Sequence, residues 1–196
     1  MARVQEQPRT RIVRAAVSVF ARDGYRSGSL NDVAVAAGLS RQNLLYYYPS
    51  KQELLLAVLE ERDAELDRAL HSADPERYAT MADYVSDLSA LLPQVYADRE
   101  LVALYHRLVA EAADPLHPAR EWVSERHERI RVAYESIIRR AVTEGEFRAD
   151  IDARAVATAL LGGIEGIESQ WLVNDEVDWA AATHILRAFL ASCSAG

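Results

Sequence analysis

Residues 41–51 of this 196-residue chain read RQNLLYYYPSK and concentrate side chains that hydrogen-bond to nucleic acids. Arginine pairs with guanine, glutamine and asparagine pair with adenine, and tyrosine and lysine bind backbone phosphates. Such binding needs several of these side chains on one surface. A helix over 41–48 provides that surface, and Pro49 ends it because proline lacks an N–H and disfavours helical geometry in the residue before it.

A rotation of about 100° per residue gives this helix two faces of opposite character. Three polar side chains share the outward face: Gln42, Asn43 and Tyr46. Leu44 and Tyr48 lie on the opposite side, and Tyr47 lies on the flank. We therefore expect Leu44 and Tyr48 to enter the core, and we expect the outward face to suit the major groove of DNA.

The charge of the chain is unevenly distributed. Residues 1–55 contain eight Arg and Lys against four Asp and Glu, whereas the whole chain has a formal net charge of −8. The remaining residues therefore carry −12. A basic end on an acidic body is typical of a polyanion-binding segment joined to a part with another task.

The composition excludes several classes of protein. Half of the residues are hydrophobic and 27% are charged, as in ordinary globular proteins. No apolar run approaches the roughly 20 residues that span a bilayer, and the N-terminus lacks the apolar segment of a secretory signal. Cys193 is the single cysteine, so neither a disulfide nor a cysteine-based metal site is expected. We expect a cytoplasmic protein with no cofactor and no membrane partner.

The hydrophobic periodicity is helical along the whole chain, so the predicted fold class is all-α. Ser29 and Ser40 stand at N-cap positions of two short helices, and Gly38 ends the first of them. With the helix before them they predict a helix-turn-helix domain over residues 1–50. Its helices are expected at about 9–22, 30–37 and 41–48.

The predicted second domain, residues 51–196, is a helical bundle. It begins at a capping box formed by Ser50 and Glu53. Its helices are expected at about 51–71, 76–92, 95–112, 119–144, 152–173 and 178–193.

The motifs of the first domain resemble the DNA-binding domain of the tetracycline-repressor (TetR) family of transcriptional regulators. The matching runs are FARDGY at 20–25, SLxxVAxxAGLS at 29–40 and LxYYYxSKxxL at 44–54. They follow one another with no gap in spacing over about residues 8–55. The resemblance implies base contacts from Arg41 and Gln42, contacts mainly to phosphates from Asn43, Tyr46, Tyr47 and Lys51, and a further DNA contact from Asn31.

Two positions depart from the family pattern. Leu45 stands where the family usually has tyrosine, and Gln42 stands where it usually has a small residue. Leu45 cannot donate a hydrogen bond, although it can pack on a thymine methyl group. The operator sequence therefore does not carry over from relatives.

The same resemblance implies that the body binds a small-molecule effector and forms a homodimer through its last two helices. The residues support the dimer independently, since apolar side chains recur every three or four positions there and Gly162, Gly163 and Gly166 lie in mid-helix. Close approach of a helix across an interface would explain why glycines stand in mid-helix. Packing within the chain's own core is the alternative explanation. The predicted interface comprises Val156, Leu160, Ile164, Ile167, Trp171, Ile185 and Phe189.

An effector pocket is expected to be mostly apolar with a few polar groups. The candidate lining residues are polar or aromatic side chains in apolar helices: Tyr84, Tyr105, His106, Trp122, Tyr134 and Glu165. The sequence does not identify the ligand.

The sequence carries no enzyme motif: it has no Glu-x-x-His pair, no glycine-rich phosphate loop and no Gly-x-Ser-x-Gly elbow. The nearest approaches to a metal pair are His117 with Glu121 and His127 with Glu128, and neither has a third ligand at a suitable spacing. We therefore expect no enzyme and no metal.

Together these patterns predict a homodimeric regulator that binds a palindromic operator in double-stranded DNA and is released by a small-molecule effector. Repression is the usual mode of the family. A helical protein-interaction adaptor that keeps the three-helix head is the alternative.

Overall fold

The computed structural model describes residues 7–69, 80, 83 and 99–194. Within these residues the chain forms eight helices, and extended pairing is limited to one bridge between Phe147 and Ser194. The predicted all-α class is confirmed. The helices are α1 (Pro8–Ser27), α2 (Leu30–Ala36), α3 (Arg41–Tyr47), α4 (Lys51–Ala69), α5 (Arg99–Glu111), α6 (Arg120–Thr143), α7 (Ala153–Val173) and α8 (Trp179–Ala191).

The first helix is longer than its pattern predicts. The pattern places its end before Gly24, but the chain bends there, with φ 79° and ψ 164°, and continues to Ser27. The amide of Gly28 donates to the carbonyl of Gly24 at 3.1 Å and closes this last turn. Apart from residues 80 and 83, the expected helix at 76–92 lies outside the described residues, as do the first residues of the one at 95–112.

The chain divides into two compact units. The head unit contains the described residues 7–65 and 99–123, and the body unit contains the other described residues, chiefly 124–194. The head unit shares one apolar core, to which α4 contributes Leu54 and Leu55 and α5 contributes Leu104 and Leu108. The predicted boundary after residue 50 lies inside this unit because α4 and α5 bury their apolar faces in the core of the first three helices.

The body unit is built from most of α6 together with α7 and α8. Tyr134, Ile137 and Ile138 of α6 are buried. Gly163 lets α7 and α8 pack closely, since a Cβ atom there would lie 3.0 Å from Cδ2 of Leu186. None of the described helices combines the length and the apolarity that crossing a bilayer requires.

Candidate nucleic-acid interface

Local hydrogen bonds fix the turn between α2 and α3. The Ser29 hydroxyl accepts from the backbone N–H of Asp32 at 3.1 Å, and the Asp32 carboxylate accepts from the Ser29 N–H at 3.3 Å. Gly38 adopts φ 66°, a left-handed conformation that glycine takes without a steric penalty. The Ser40 hydroxyl then accepts from the Asn43 N–H at 3.1 Å and begins α3. These caps set the direction in which α3 leaves the turn.

The side chains of α3 divide between core and surface as the helical rotation predicts. Leu44 is fully buried and Tyr48 is buried beside it, whereas Tyr46 is 82% exposed. Tyr47 and Leu45 are half-buried on the flanks. Gln42 and Asn43, the other polar side chains of the outward face, are exposed, and so is Arg41 at the first position of α3. The predicted exposure of the three tyrosines is confirmed: Tyr48 is buried, Tyr46 is exposed and Tyr47 lies on the flank.

Ring contacts hold the aromatic side chains of this surface. Tyr46 and Tyr47 meet edge to face with their centroids 5.2 Å apart. The guanidinium of Arg9 lies 5.4 Å from the centroid of the Tyr48 ring, which joins the start of α1 to the end of α3. Edge-to-face contact is a favoured arrangement of two aromatic rings. The ring pair therefore joins the outward face of α3 to its flank.

The second helix adds two exposed side chains. Asn31 and Val35 are both exposed and stand four residues apart on α2, so they lie on one face of that helix. Asn31 is the position that the family resemblance singles out. The pattern did not single out Val35, because an exposed apolar residue on a helix of seven residues leaves no periodic signal.

Lys51 lies in a different environment from the residues of α3. Its Nζ donates to the backbone carbonyl of Arg26 at 3.1 Å and lies 4.5 Å from the centroid of the Tyr25 ring. Burial lowers the pKa of Lys51, and the nearby Glu111 carboxylate opposes that shift. The ammonium is therefore engaged with the end of α1.

The sequence patterns did not predict a cluster of polar contacts at the end of α1. We call this cluster, formed by Tyr25, Arg26, Glu111, Asp114 and His117, the junction. Arg26 forms an ion pair with Asp114 in the turn after α5. The Tyr25 ring meets the ring of His117, and His117 Nε2 lies 3.2 Å from a Glu111 carboxylate oxygen. Nearly 90 residues separate Arg26 from Asp114 along the chain, so neither spacing nor periodicity could reveal this junction.

Three of the predicted pocket residues form one aromatic cluster in the head unit. Tyr105 is buried, and its ring lies 5.3 Å from that of His106 and 6.5 Å from that of Trp122. Tyr84 lies outside the described residues.

The other two predicted pocket residues, Tyr134 and Glu165, lie in the body unit. A Glu165 carboxylate oxygen lies 3.1 Å from His127 Nε2 and 3.6 Å from Nη1 of Arg126, which is buried. The histidines thus pair with glutamates other than those nearest in the predicted pattern: His117 with Glu111 and His127 with Glu165. Among the described residues, no group of three His, Cys, Asp or Glu side chains is placed to hold a metal ion.

The predicted dimer residues differ in exposure. Ile185 and Phe189 of α8 are 66% and 40% exposed. Ile167 and Trp171 are half-buried. Three side chains of α7 are buried within the chain's own body unit: Val156, Leu160 and Ile164. The interface prediction therefore narrows to the exposed and half-buried positions.

Comparison with known proteins identifies the family. Residues 12–58 match the sequence model of the bacterial regulatory proteins of the tetR family, and residues 104–189 match that of the tetracyclin repressor-like C-terminal domain. The HTH-type transcriptional regulator TtgR of Pseudomonas putida is 28% identical over 189 residues, which cover 88% of this chain and 84% of TtgR.

Solved structures show the same architecture. The transcriptional regulator FadR from Bacillus subtilis, solved in complex with stearoyl-CoA, superimposes with a TM-score of 0.77 at 20% identity, covering 95% of this chain and 99% of FadR. A regulator from Saccharomonospora viridis in complex with choline gives a TM-score of 0.74 at 26% identity, covering 93% and 94% of the two chains.

This chain belongs to the TetR family of transcriptional regulators. Its helix-turn-helix head is the DNA-binding domain of that family, and the helices that follow form the family's C-terminal domain. The members of the family are regulators of transcription and not enzymes.

Proposed function

We propose that this protein is a ligand-responsive repressor that binds a palindromic operator as a homodimer and leaves it when a small molecule binds the body. One observation carries the proposal. The helix α3 of a folded helix-turn-helix presents four exposed polar side chains, Gln42, Asn43 and Tyr46 on its outward face and Arg41 at its first position. The excess of basic residues over 1–55 adds an attraction to DNA phosphates that salt weakens.

The family resemblance assigns the contacts of the individual side chains, and their chemistry fits it. Arg41 and Gln42 would contact base edges in the major groove, because their planar donor groups match guanine and adenine. Three side chains would bind phosphates and so fix the position of α3: Asn43, Tyr46 and Tyr47. Asn31, exposed on α2, would contact the DNA beside them. Lys51 differs from these residues because its ammonium already binds the Arg26 carbonyl.

Exposed apolar side chains support a homodimer through α7 and α8. Ile185 and Phe189 offer a partner apolar surface that a monomer would leave in water. Among the described residues, a Cβ atom at Gly162 or Gly166 would meet no side chain and no other element within 4 Å, so close packing against these residues does not explain either glycine. A second copy of α7 lying close by would explain both.

The body is the proposed effector site. Arg126, His127 and Glu165 form a polar cluster between α6 and α7, and Tyr134 is buried on the same helix as the first two. The relatives differ in ligand, since one structure contains stearoyl-CoA and another choline. The shared fold therefore does not define the effector, and the polar side chains of the body must select it.

Release follows from a shift between two states of the dimer. Two reading helices must match half-sites about one helical turn apart, roughly 34–36 Å. An effector that binds better to a state with another spacing lowers the population that fits the operator.

Footprinting of the DNA upstream of the gene tests the proposal. We expect two protected half-sites related by two-fold symmetry, both lost in Arg41→Gln. Protection of a single half-site at every protein concentration would refute the dimeric operator, and absence of protection would favour the adaptor.

Sedimentation tests the dimer separately. Phe189→Glu places a charge on the proposed interface and is expected to turn the dimer into a monomer. Val132→Glu is the matched control, because Val132 is a comparably exposed apolar residue of the body on α6. Equal masses for both variants would contradict an interface at Phe189.

A further inference from the structure

Lys51, at the first position of α4, is held on the end of α1. Its Nζ donates a hydrogen bond of 3.1 Å to the carbonyl of Arg26. The same ammonium lies 4.5 Å from the centroid of the Tyr25 ring and 5.9 Å from that of Phe20. Cation–ring attraction and the hydrogen bond act on one group, so the position of the ammonium is fixed from several sides.

The end of α1 needs such a partner because the helix is interrupted. Gly24 has a non-helical conformation, and the chain is extended again at Gly28. Carbonyl groups in the last turn of a helix lack intrahelical donors, and cations are favourable there. Arg107 of α5 donates to the carbonyl of Arg22 at 3.4 Å, on the other side of Gly24. Two cations therefore bind the backbone on either side of the bend.

A second layer of contacts holds the Tyr25 ring against Lys51. The ring meets the His117 imidazole edge to face, with centroids 5.4 Å apart. His117 Nδ1 accepts from the Ala119 N–H at 3.2 Å, and its Nε2 lies 3.2 Å from a Glu111 oxygen. The residues that hold the Lys51 ammonium and the Tyr25 ring thus come from α1, α5 and the turn after α5.

We propose that Lys51 is a positioning residue for α3. Its ammonium fixes the start of α4 on the bend of α1, and only residues 48–50 join α4 to α3. Lys51 then sets the DNA affinity through the geometry of the head unit and not through a bond of its own to a phosphate. This inference rests on the proposed function, because it concerns the same DNA-binding surface.

The environment of the ammonium supports this role. Lys51 is half-buried, so part of its hydration is already lost, and this burial lowers its pKa. Moving Nζ to a phosphate would break the hydrogen bond to Arg26 and uncover the Tyr25 ring at the same time. The ammonium has two further N–H groups, but displacing it towards DNA would cost both of these contacts.

Four variants of the full chain test the inference. Lys51→Gln removes the ammonium, Tyr25→Leu removes the ring without changing any charge, and the double variant combines them. Tyr25→Phe is the matched control, because it keeps the ring. Fluorescence anisotropy measures the affinity of each variant for the upstream DNA over a range of salt concentrations. The temperature stays well below the unfolding midpoint of every variant, so that a loss of global stability alone leaves the measured affinity unchanged.

A positioning role predicts that both single variants bind about tenfold more weakly, the size typical of a coupled contact. The double variant is expected to bind like the weaker single variant, and Tyr25→Phe like the wild type. The slope of log affinity against log salt is expected to stay at the wild-type value in Lys51→Gln.

A phosphate ligand gives a different result. Lys51→Gln then reduces the steepness of the salt dependence by about 0.9, Tyr25→Leu keeps the wild-type affinity, and the inference is overturned while the proposed function stands. The slope for Lys51→Gln decides alone if Tyr25→Leu does not fold. Absence of DNA binding by the wild type overturns both proposals.

Discussion

The head unit and the body unit place their charged side chains differently. In the head unit most charged side chains lie on the surface or at helix ends, as Arg41 does on α3 and as the Arg26–Asp114 pair does beside α1, and His117 is buried against Glu111. In the body unit two charged side chains are buried, since Arg126 is 5% and Glu168 is 4% exposed. Burying a charge is costly unless partners compensate it.

Because of this difference, substitutions should affect stability and binding separately in the head unit and together in the body unit. The head unit has an apolar core under a polar binding face, so core and surface substitutions should act on different properties. In the body unit the polar groups lie inside, as the contact of Glu165 with His127 illustrates. Substitutions there should change packing and ligand binding together.

The largest effect is expected from the core of the head. Phe20→Ala should reduce the free energy of unfolding by about 3–5 kcal/mol, because Phe20 is fully buried. Phe189→Ala is the matched change in the body and should cost less than half as much, since Phe189 is 40% exposed. Denaturant unfolding of both variants at low protein concentration measures the difference. Equal losses would show that the core of the head does not dominate the fold.

The next effect concerns DNA binding. Arg41→Gln should weaken operator binding by about 1–3 kcal/mol, the range for one base-specific contact. Arg148→Gln, an exposed arginine of the body, should leave the affinity unchanged. Anisotropy titrations at one salt concentration compare them. The same loss in both variants would mean that net charge alone governs binding.

A glycine pair should give effects of opposite sign. Gly38→Ala should destabilise the head by about 1–2 kcal/mol, because φ is 66° there and an alanine is strained in that conformation. Gly166→Ala in α7 should stabilise the single chain by up to about 1 kcal/mol, since glycine is a poor helix former and no other element in the described part of the chain would lie within 4 Å of the added Cβ atom. Unfolding at low concentration tests both signs, and a gain from Gly38→Ala would contradict the turn geometry.

The smallest effect concerns acid pH. The N–H of Leu116 and then the Arg26 guanidinium lower the pKa of Asp114, and the Arg139 guanidinium is the main cause that lowers the pKa of Glu135 in the body. A depressed carboxyl pKa stabilises the fold above the pKa of the unfolded chain, and that stability is lost as pH falls through the folded value.

We therefore expect Asp114→Asn and Glu135→Gln to be less stable than the wild type at neutral pH, with the difference shrinking below about pH 4 and vanishing below the lowered pKa of the folded state. Unfolding curves at several pH values measure it. A difference that stayed constant into acid would show that the charge of neither carboxylate contributes.

The sequence predicts the outward face of α3 well because nearby residues determine where this helix begins, ends and points. Ser40 and Pro49 set the ends of α3, and the rotation of the helix then buries Leu44 and Tyr48 and exposes Tyr46. Each of these inferences needs only a few neighbouring residues.

The junction and the body depend on contacts that spacing does not encode. Arg26 meets Asp114 across 88 residues, and His127 meets Glu165 across 38. The pairs singled out by spacing, His117 with Glu121 and His127 with Glu128, are not the ones that form these contacts. Tertiary packing determines which glutamate each histidine contacts, and the spacing of residues in one sequence does not show this.

Salt titration of DNA binding tests the central claim most directly. Fluorescence anisotropy with the upstream DNA should give saturable binding that weakens steeply as salt rises, because cations of the head displace counterions from the phosphates. Excess DNA of unrelated sequence should compete poorly at every salt concentration. Binding that unrelated DNA abolishes at equal concentration, or no binding at low salt, would contradict a head that reads an operator.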